Sequence, residues 1–284
     1  MSVTSVAATV SPQDVRLETI AILPVVSARM KAVYQAGLAQ GNNPHVFSKL
    51  GDCMTENPYF LAPLSDGKYD LGEYQGLKSV IAQFAGYPAR SVDGTTPESS
   101  PTQQKDSFAT VGLASAGGFN IAAPLDATWA DPKWCQSGES PLACEYRVAK
   151  PSIAIIMFGT NDVNYTDATT YDLYLRMIIS ATLSRNIVPI LNTFPTRPED
   201  PQKSQQLNLI VAQVAHDFDI PLVNLNRALD GLPNKGVNPG DTAHLSVPQD
   251  NRVDLFTSGH LTSGFTLRNL VTLQALEKVL EVVR

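Results

Sequence analysis

The sequence predicts an α/β protein in which helices cover both faces of a mostly parallel sheet. Short, continuously apolar runs alternate with longer segments of helical periodicity along most of the chain. Strands of a parallel sheet are apolar throughout because helices cover both faces, and each crossover needs a long connection, usually a helix. With 284 residues, 43% of them hydrophobic and 17% charged, the chain can bury a large core.

Each element is predicted from its own pattern. Apolar runs bounded by turn residues predict strands at 45–50, 108–113, 151–158, 187–194 and 220–225. Apolar residues at helical spacing predict helices at 14–37, 76–84, 120–130, 168–186, 201–218 and 262–283. Pro24 must kink the first of these helices or end its first turn. Weakly patterned segments predict loops at 57–72, 86–106 and 229–256.

Charge and hydropathy argue against two classes of protein, those that bind nucleic acids and those that span a membrane with a helix. The net charge is −6, the isoelectric point is ≈ 5.2, and the sequence has no run rich in Lys or Arg. These values disfavour a nucleic-acid-binding surface. No stretch approaches the roughly 18 consecutive apolar residues of a membrane-spanning helix. Residues 1–13 are expected to form a loose arm, and they lack the basic start and apolar centre of a signal peptide.

A nucleophilic side chain follows directly on the first strand. Gly51 and Asp52 come after the apolar run 45–50, and Cys53 follows them. Glycine allows a tight turn, and the aspartate can accept hydrogen bonds from amides one or two residues on. The pattern is typical of a nucleophile presented at a strand-to-turn junction. The alternative is an ordinary loop that carries a buried cysteine.

Three further motifs follow in order along the chain. They are the Gly117-Gly118 pair, Gly159-Thr160-Asn161-Asp162 after an apolar strand, and Asp241 three residues before His244. Together with Gly51-Asp52-Cys53, they resemble the conserved blocks of the SGNH (GDSL-type) hydrolase family. The resemblance extends roughly from Pro44 to the C-terminus. It implies a three-layer α/β/α sandwich with a flavodoxin-like sheet of about five strands, forming a single domain over 1–284.

The resemblance also implies a role for each motif. Cys53 stands where the family has its nucleophilic serine, His244 would be the general base, and Asp241 would orient the imidazole. The oxyanion donors would be the backbone N–H of Cys53, the backbone N–H of Gly118 and the side-chain amide of Asn161. Gly117 is the alternative to Gly118. No metal or organic cofactor is implied. Asp52 and Asp162 are expected to hydrogen-bond loop amides beside the site.

A second histidine competes for the role of base. His260 also resembles the family's last block, because it lies shortly before a glycine and the final helix. The residue three positions before His260 is Thr257, whereas His244 has Asp241 at that spacing. We therefore prefer His244 and keep His260 as the alternative, with an N-terminal cap of the last helix as its structural role. His45 and His216 are expected to be structural or surface residues.

The two remaining cysteines lie close together in the sequence. Cys135 and Cys144 flank a polar loop inside a predicted insertion, 129–147. We predict a disulfide between them, which would indicate an oxidising compartment and a secreted protein. The alternative is a pair of reduced core cysteines, which would leave a cytoplasmic location open. Two cysteines with no nearby histidine offer too few ligands for zinc.

The sequence therefore predicts a hydrolase acting on an ester or thioester through a covalent acyl-enzyme, with a small-molecule or carbohydrate-linked ester as substrate. A cysteine in place of serine makes simple esters poorer substrates than thioesters or activated esters, because the thiolate is the better leaving group. The alternative interpretation of Cys53 is an inactivating substitution, natural or engineered. Two alternatives stay open. One is a non-catalytic protein that binds a carbohydrate or an acylated ligand, and the other is an acyltransferase with a thioester intermediate. The oligomeric state is not predicted.

Overall fold

A parallel sheet forms the centre of the protein. The computed structural model describes residues 16–90 and 105–284. Its main sheet has four strands in the spatial order β1-β2-β3-β4, and every neighbouring pair is parallel. The strands are β1 (Asn43–Gly51), β2 (Pro151–Met157), β3 (Val188–Asn192) and β4 (Leu222–Val223). The predicted α/β class is confirmed.

Helices pack on this sheet in two groups. The α-helices are α1 (Ala28–Ala39), α2 (Cys53–Glu56), α3 (Lys78–Phe84), α4 (Pro141–Ala149), α5 (Asp162–Tyr165), α6 (Ala168–Ser184), α7 (Pro201–Asp217), α8 (Leu225–Leu229) and α9 (Gly264–Val283). Helix α1 packs against α9, helix α6 packs against α7, and both groups contact the sheet. Every residue of β2 is buried, as a strand covered on both faces requires. Across 16–90 and 105–284, no helix is long and apolar enough to cross a membrane.

The fifth position of the sheet holds a bridge instead of a strand. Gly51 pairs with Met157 on one side and, by an isolated parallel bridge, with Ser115 on the other. The strand predicted at 108–113 is wrong, because Asp106 folds this segment into a turn. Its carboxylate accepts a hydrogen bond from the Ala109 N–H (3.1 Å), and its carbonyl accepts one from the Thr110 N–H (2.9 Å).

The segment predicted as a loop at 229–256 contains a hairpin. Strands β5 (Val237–Asn238) and β6 (Asp241–Leu245) form a separate two-stranded antiparallel sheet. The turn between them is closed by a hydrogen bond from the Gly240 N–H to the Asn238 Oδ1 (2.9 Å). Both His244 and Asp241 therefore belong to a strand, and the prediction of a loop at these positions is wrong.

Three other segments differ in the structure from their predictions, two of them at prolines. The helix predicted at 14–37 begins only at α1, and a 3-10 turn (Leu17–Thr19) precedes it beyond Pro24. The helix predicted at 120–130 is two 3-10 turns, Ala123–Leu125 and Ala127–Trp129, because Pro124 has no N–H and Asp126 caps a new turn at Thr128. The predicted insertion at 129–147 runs into α4. The arm at 1–13 and most of the loop at 86–106 lie outside the described residues.

Candidate active site

Gly51 brings three chain segments together at the carboxyl end of β1. It pairs with Met157 at the end of β2 and with Ser115 on its other side. A β-carbon at position 51 would lie 2.3 Å from the Thr55 Oγ1 and 2.4 Å from the Met157 carbonyl oxygen, so only glycine fits. The chain that follows each of these three paired positions carries a predicted site residue. The carboxyl ends of parallel strands are where α/β folds place ligands.

Cys53 begins α2 immediately after the strand. Asp52 caps this helix, since its carboxylate accepts a hydrogen bond from the Met54 N–H at 3.0 Å. Asp52 is fully buried, whereas Cys53 is partly exposed. The thiol lines a cleft of ≈ 570 Å³, and His244 lines the same cleft. The Met54 amide that Asp52 binds belongs to the first turn of α2, whereas the prediction placed it in a loop.

Asn161 reaches the neighbouring loop from the end of β2. Its Nδ2 donates a hydrogen bond to the Phe119 carbonyl at 2.8 Å. The next residue, Asp162, is fully buried and accepts hydrogen bonds from the Ile121 N–H (3.0 Å) and the Thr166 hydroxyl (2.7 Å). Asp162 therefore fixes the loop that contains the glycine pair, as predicted. Burial raises the pKa of the Asp162 carboxyl to about 6.

The two glycines of the pair differ in the use of their N–H groups. The Gly117 N–H donates to the Glu56 carboxylate. Within the described part of the chain, the Gly118 N–H has no hydrogen-bond partner, and neither does the Cys53 N–H. The Asn161 amide has a second N–H besides the one it gives to Phe119. These three groups are the predicted oxyanion donors, and each retains an N–H for a ligand.

The β5–β6 hairpin supplies the histidine and its carboxylate. The His244 Nδ1 lies 2.6 Å from the Asp241 Oδ2. This hydrogen bond lowers the pKa of the Asp241 carboxyl below its ordinary value. A carboxylate on Nδ1 fixes the tautomer that leaves Nε2 as the proton acceptor. The hairpin packs beside α2, which begins with Cys53.

The thiol and the imidazole share the cleft without touching. Among the described residues, no hydrogen bond joins the Cys53 Sγ to His244. Catalytic hydrogen bonds are often long without substrate and shorten in the complex. Burial, and next the charge of Asp52, raise the pKa of the Cys53 thiol to about 12. The thiol is therefore protonated at neutral pH, and no thiolate–imidazolium pair is preformed.

The other histidines lie outside the cleft. The His260 Nδ1 lies 2.7 Å from the Thr257 Oγ1, and its Nε2 lies 3.1 Å from the Asp250 Oδ2. His260 lines a second cleft of ≈ 610 Å³, which does not include Cys53. His45 stacks on Tyr87, with ring centroids 3.9 Å apart, and His216 is exposed on α7.

Cys135 and Cys144 form the predicted disulfide. It joins the insertion to α4, on which the buried Glu145 accepts hydrogen bonds from the Ser48 hydroxyl (2.5 Å) and the Leu113 N–H (2.7 Å). The described residues contain one cluster of candidate metal ligands, Cys135, Glu139 and Cys144. Because its two sulfur atoms are bonded to each other, this cluster cannot supply two thiolate ligands.

Sequence reasoning missed a connection between the hairpin and the loop after β3. Arg197 is 8% exposed, and its Nε donates to the Glu199 Oε2 at 3.1 Å. The other oxygen of Glu199 accepts a hydrogen bond from the hydroxyl of Thr242, which lies between Asp241 and His244. Glu199 therefore attaches the strand that carries the histidine to the loop after β3. No motif or periodicity marks these residues in the sequence.

Removal of the Thr242 hydroxyl is expected to impair the placement of His244. We expect Thr242→Val, which keeps the shape of the side chain, to lower kcat/KM for an activated ester about 5- to 10-fold, the value of roughly one hydrogen bond. The measurement is steady-state kinetics with the thermal midpoint recorded alongside. Thr19→Val removes an exposed hydroxyl outside the cleft and serves as the control. An unchanged kcat/KM in Thr242→Val would contradict the positioning role.

The fold and the site together define an α/β protein with a cleft that holds a thiol and an imidazole hydrogen-bonded to a carboxylate. The family model of the GDSL-like lipase/acylhydrolase family matches residues 85–260, more than half of the chain. The chain belongs to this family, whose members are ester hydrolases. The matched range begins after Cys53, so it does not cover the nucleophile motif.

Several solved structures resemble the chain at low identity. A lipase/acylhydrolase from Enterococcus faecalis is 16% identical, covers 82% of this chain and 95% of its own, and has a TM-score of 0.48. An acetylxylan esterase from Geobacillus stearothermophilus is 15% identical, with 83% and 95% covered and a TM-score of 0.48. The esterase EstA from Pseudoalteromonas sp. is 12% identical, with 84% and 99% covered and a TM-score of 0.48. No curated protein matches the sequence significantly. Similarity this distant assigns neither activity nor substrate.

Proposed function

We propose that the protein hydrolyses an activated ester or a thioester through an acyl-enzyme on Cys53, with His244 as the general base and Asp241 as the group that orients it. The observation that carries this proposal is the cleft shared by Cys53 and His244, with Asp241 hydrogen-bonded to the far nitrogen of the imidazole. Membership of an ester hydrolase family supports the reaction class.

The reaction has two halves. In the first, the His244 Nε2 takes the thiol proton while the Cys53 Sγ attacks the carbonyl carbon. The tetrahedral intermediate then collapses, and the leaving alcohol or thiol departs with the proton from the imidazolium. In the second, His244 takes a proton from water, the resulting hydroxide attacks the thioester, and the Cys53 sulfur leaves and regains a proton.

The oxyanion of each tetrahedral intermediate would accept hydrogen bonds from three donors. These are the Cys53 N–H, the Gly118 N–H and the second N–H of the Asn161 amide, none of which is used elsewhere in the described part of the chain. Donors of this kind contribute roughly 10²- to 10³-fold each in rate where single ones have been removed. The Asn161 bond to Phe119 keeps the amide oriented between substrates.

The sulfur nucleophile restricts the substrate. A thiolate leaves a tetrahedral intermediate more readily than an alkoxide does, so attack on an alkyl ester mostly reverses. A thioester or an aryl ester offers a leaving group that competes with the Cys53 sulfur. The raised pKa of the thiol means that deprotonation and attack must be coupled through His244, since few thiolates exist beforehand.

We also propose an extracellular or otherwise oxidising location. The Cys135–Cys144 disulfide closes a loop with a sequence separation of 9. Structural disulfides persist in oxidising compartments and are rare in the cytosol.

The proposed function is tested by cleavage of p-nitrophenyl acetate at pH 7–8, with the intact protein mass recorded in parallel. We expect steady turnover together with transient acetylation of the protein. A one-equivalent burst that stops at a stable thioester would instead indicate an acyltransferase, or a serine-type site with an impaired nucleophile. Absence of both burst and turnover would contradict hydrolysis.

The second candidate is a non-catalytic protein that binds an acylated or carbohydrate ligand in the same cleft. The raised pKa of the Cys53 thiol favours it, because a protonated and partly buried thiol is a poor nucleophile. The lack of a hydrogen bond between Cys53 and His244 in the described residues favours it too. Binding without acetylation in the same experiment would support this candidate.

A further inference from the structure

A buried lysine lines the cleft beside the nucleophile, and the reaction does not use it. Lys49 lies on β1, four residues before Cys53, and is 3% exposed. Lys49 is one of the residues that line the cleft containing Cys53 and His244. Lysine is almost never fully buried unless it has an anionic partner. Its position inside the apolar run of β1 therefore requires an explanation.

The hydrogen-bond partners of Lys49 are neutral backbone carbonyls. The Nζ donates to the Phe108 carbonyl at 2.7 Å and lies 3.5 Å from the Phe60 carbonyl. In the described parts of the chain, no carboxylate forms an ion pair with it. An ammonium group has three donors, so Lys49 has one donor left after these two carbonyls. A buried ammonium that no carboxylate contacts directly is costly, and an anionic ligand bound to it would offset part of that cost.

Besides its burial, charges of both signs act on Lys49: Arg268 and Lys105 lower the pKa of its ammonium, and the buried carboxylates of Asp106 and Glu145 raise it. The Arg268 guanidinium lies 3.6 Å from the Phe60 ring centroid, and the Lys49 Nζ lies 5.7 Å from the same centroid. Lys105 also lines the cleft and is exposed. Glu56 contributes a carboxylate to the lining, and it accepts the Gly117 N–H. Burial, and next the charge of Arg268, lower the pKa of the Lys49 ammonium to about 7. A bound anion would offset both effects.

The remaining wall of the cleft is small and largely apolar. Pro58, Ala62, Ala109 and Val111 line it together with the polar Asn57 and the groups already named. Such a wall accommodates a short aliphatic chain but offers it few polar contacts. A chain held at one end by the Cys53 sulfur would have its other end recognised by the ammonium of Lys49.

We propose that the cleft is specific for acyl groups that end in a carboxylate, such as the half-esters or half-thioesters of short dicarboxylic acids, with Lys49 as the residue that binds the carboxylate. This inference rests on the proposed function for the position of the acyl carbonyl. The net charge of −6 would by itself disfavour an anionic substrate, so the inferred specificity depends on the local charge of Lys49.

The test compares two substrates of equal length on the wild-type protein and on variants. They are the mono-p-nitrophenyl ester of glutaric acid and its neutral analogue, in which an amide replaces the carboxylate. We expect the wild-type kcat/KM to be at least about tenfold higher for the anionic ester, as a charge-assisted hydrogen bond implies. The ratio of kcat/KM for the anionic ester to kcat/KM for the neutral ester should fall close to one in Lys49→Met. It should stay unchanged in the control Lys78→Met, which alters an exposed lysine on α3.

A wild-type ratio of one or less would overturn the proposal, as would a high ratio retained in Lys49→Met. The wild-type comparison stands even where Lys49→Met does not fold. If neither ester is turned over, the proposed function fails, and binding of glutaramate, measured by calorimetry against the neutral glutaramide, decides the question of the anion site. Selective binding of glutaramate would support the site, and equal or absent binding would overturn it.

Discussion

Replacement of Cys53 by alanine is expected to abolish covalent acylation and to lower turnover of p-nitrophenyl acetate by at least about 10³-fold. Removal of the nucleophile leaves only the oxyanion donors and substrate binding, as in other acyl-transfer enzymes. The thiol is partly exposed at the start of α2, so the loss of one sulfur atom should change stability little. Intact mass and release of p-nitrophenol measure the two effects. Acetylation at the wild-type rate in Cys53→Ala would remove Cys53 from the mechanism.

Cys53→Ser tests the effect of sulfur as the nucleophilic atom, because it keeps a nucleophile at the same position and replaces sulfur by oxygen. In Cys53→Ser both possible leaving groups of the tetrahedral intermediate formed with an alkyl ester are alkoxides. The alcohol of the substrate then leaves about as readily as the side-chain oxygen of residue 53. We therefore expect the ratio of alkyl ester to thioester turnover to rise in Cys53→Ser relative to the wild type. A ratio that stays the same would show that the nucleophile's leaving ability does not determine the choice of substrate.

Replacement of His244 by alanine is expected to slow acylation by about 10² to 10⁴, the usual contribution of a general base. The effect should be large here because burial and Asp52 keep the thiol protonated, so a proton acceptor is needed at the moment of attack. The rate of acetylation, followed by mass spectrometry under single-turnover conditions, is the measurement. Addition of free imidazole should restore part of the rate in His244→Ala.

The matched control is His260→Ala. This histidine lies in a different cleft, hydrogen-bonded to Thr257 and facing Asp250, so we expect its loss to change acylation less than about threefold. The reverse order of the two variants would show that His260 is the base. In that case the Asp250–His260 pair would have to move to the Cys53 cleft in the presence of substrate.

The parts of the site that could be predicted are those fixed by strand ends. Apolar runs identify β1 and β2, and the residues that follow them, Cys53 and Asn161, lie at the same edge of the sheet because the strands are parallel neighbours. The spacing of Asp241 and His244 likewise requires no knowledge of distant contacts, since the pair is local. Most of the candidate site residues could therefore be located from short-range sequence patterns and from the parallel arrangement of the strands.

The parts that could not be predicted depend on contacts between distant segments. The turn at Asp106 competes with the apolar pattern of 108–113, and only the side-chain geometry decides in favour of the turn. The hairpin around His244 is short and rich in turn residues, so its strands have no clear alternation. Lys49 and Glu199 have roles that follow from partners more than 40 residues away, Phe108 and Thr242.

The proposed nucleophile and the proposed base belong to two different sheets. Cys53 follows a strand of the main sheet, whereas Asp241 and His244 lie on the two-stranded hairpin, which the Glu199 side chain joins to the loop after β3. Small hairpins open locally with less free energy than core strands do. On heating, the distance between sulfur and imidazole would therefore lengthen while the parallel sheet is still folded. The upper temperature limit of catalysis would then be set by the anchorage of the hairpin, below the temperature at which the core unfolds.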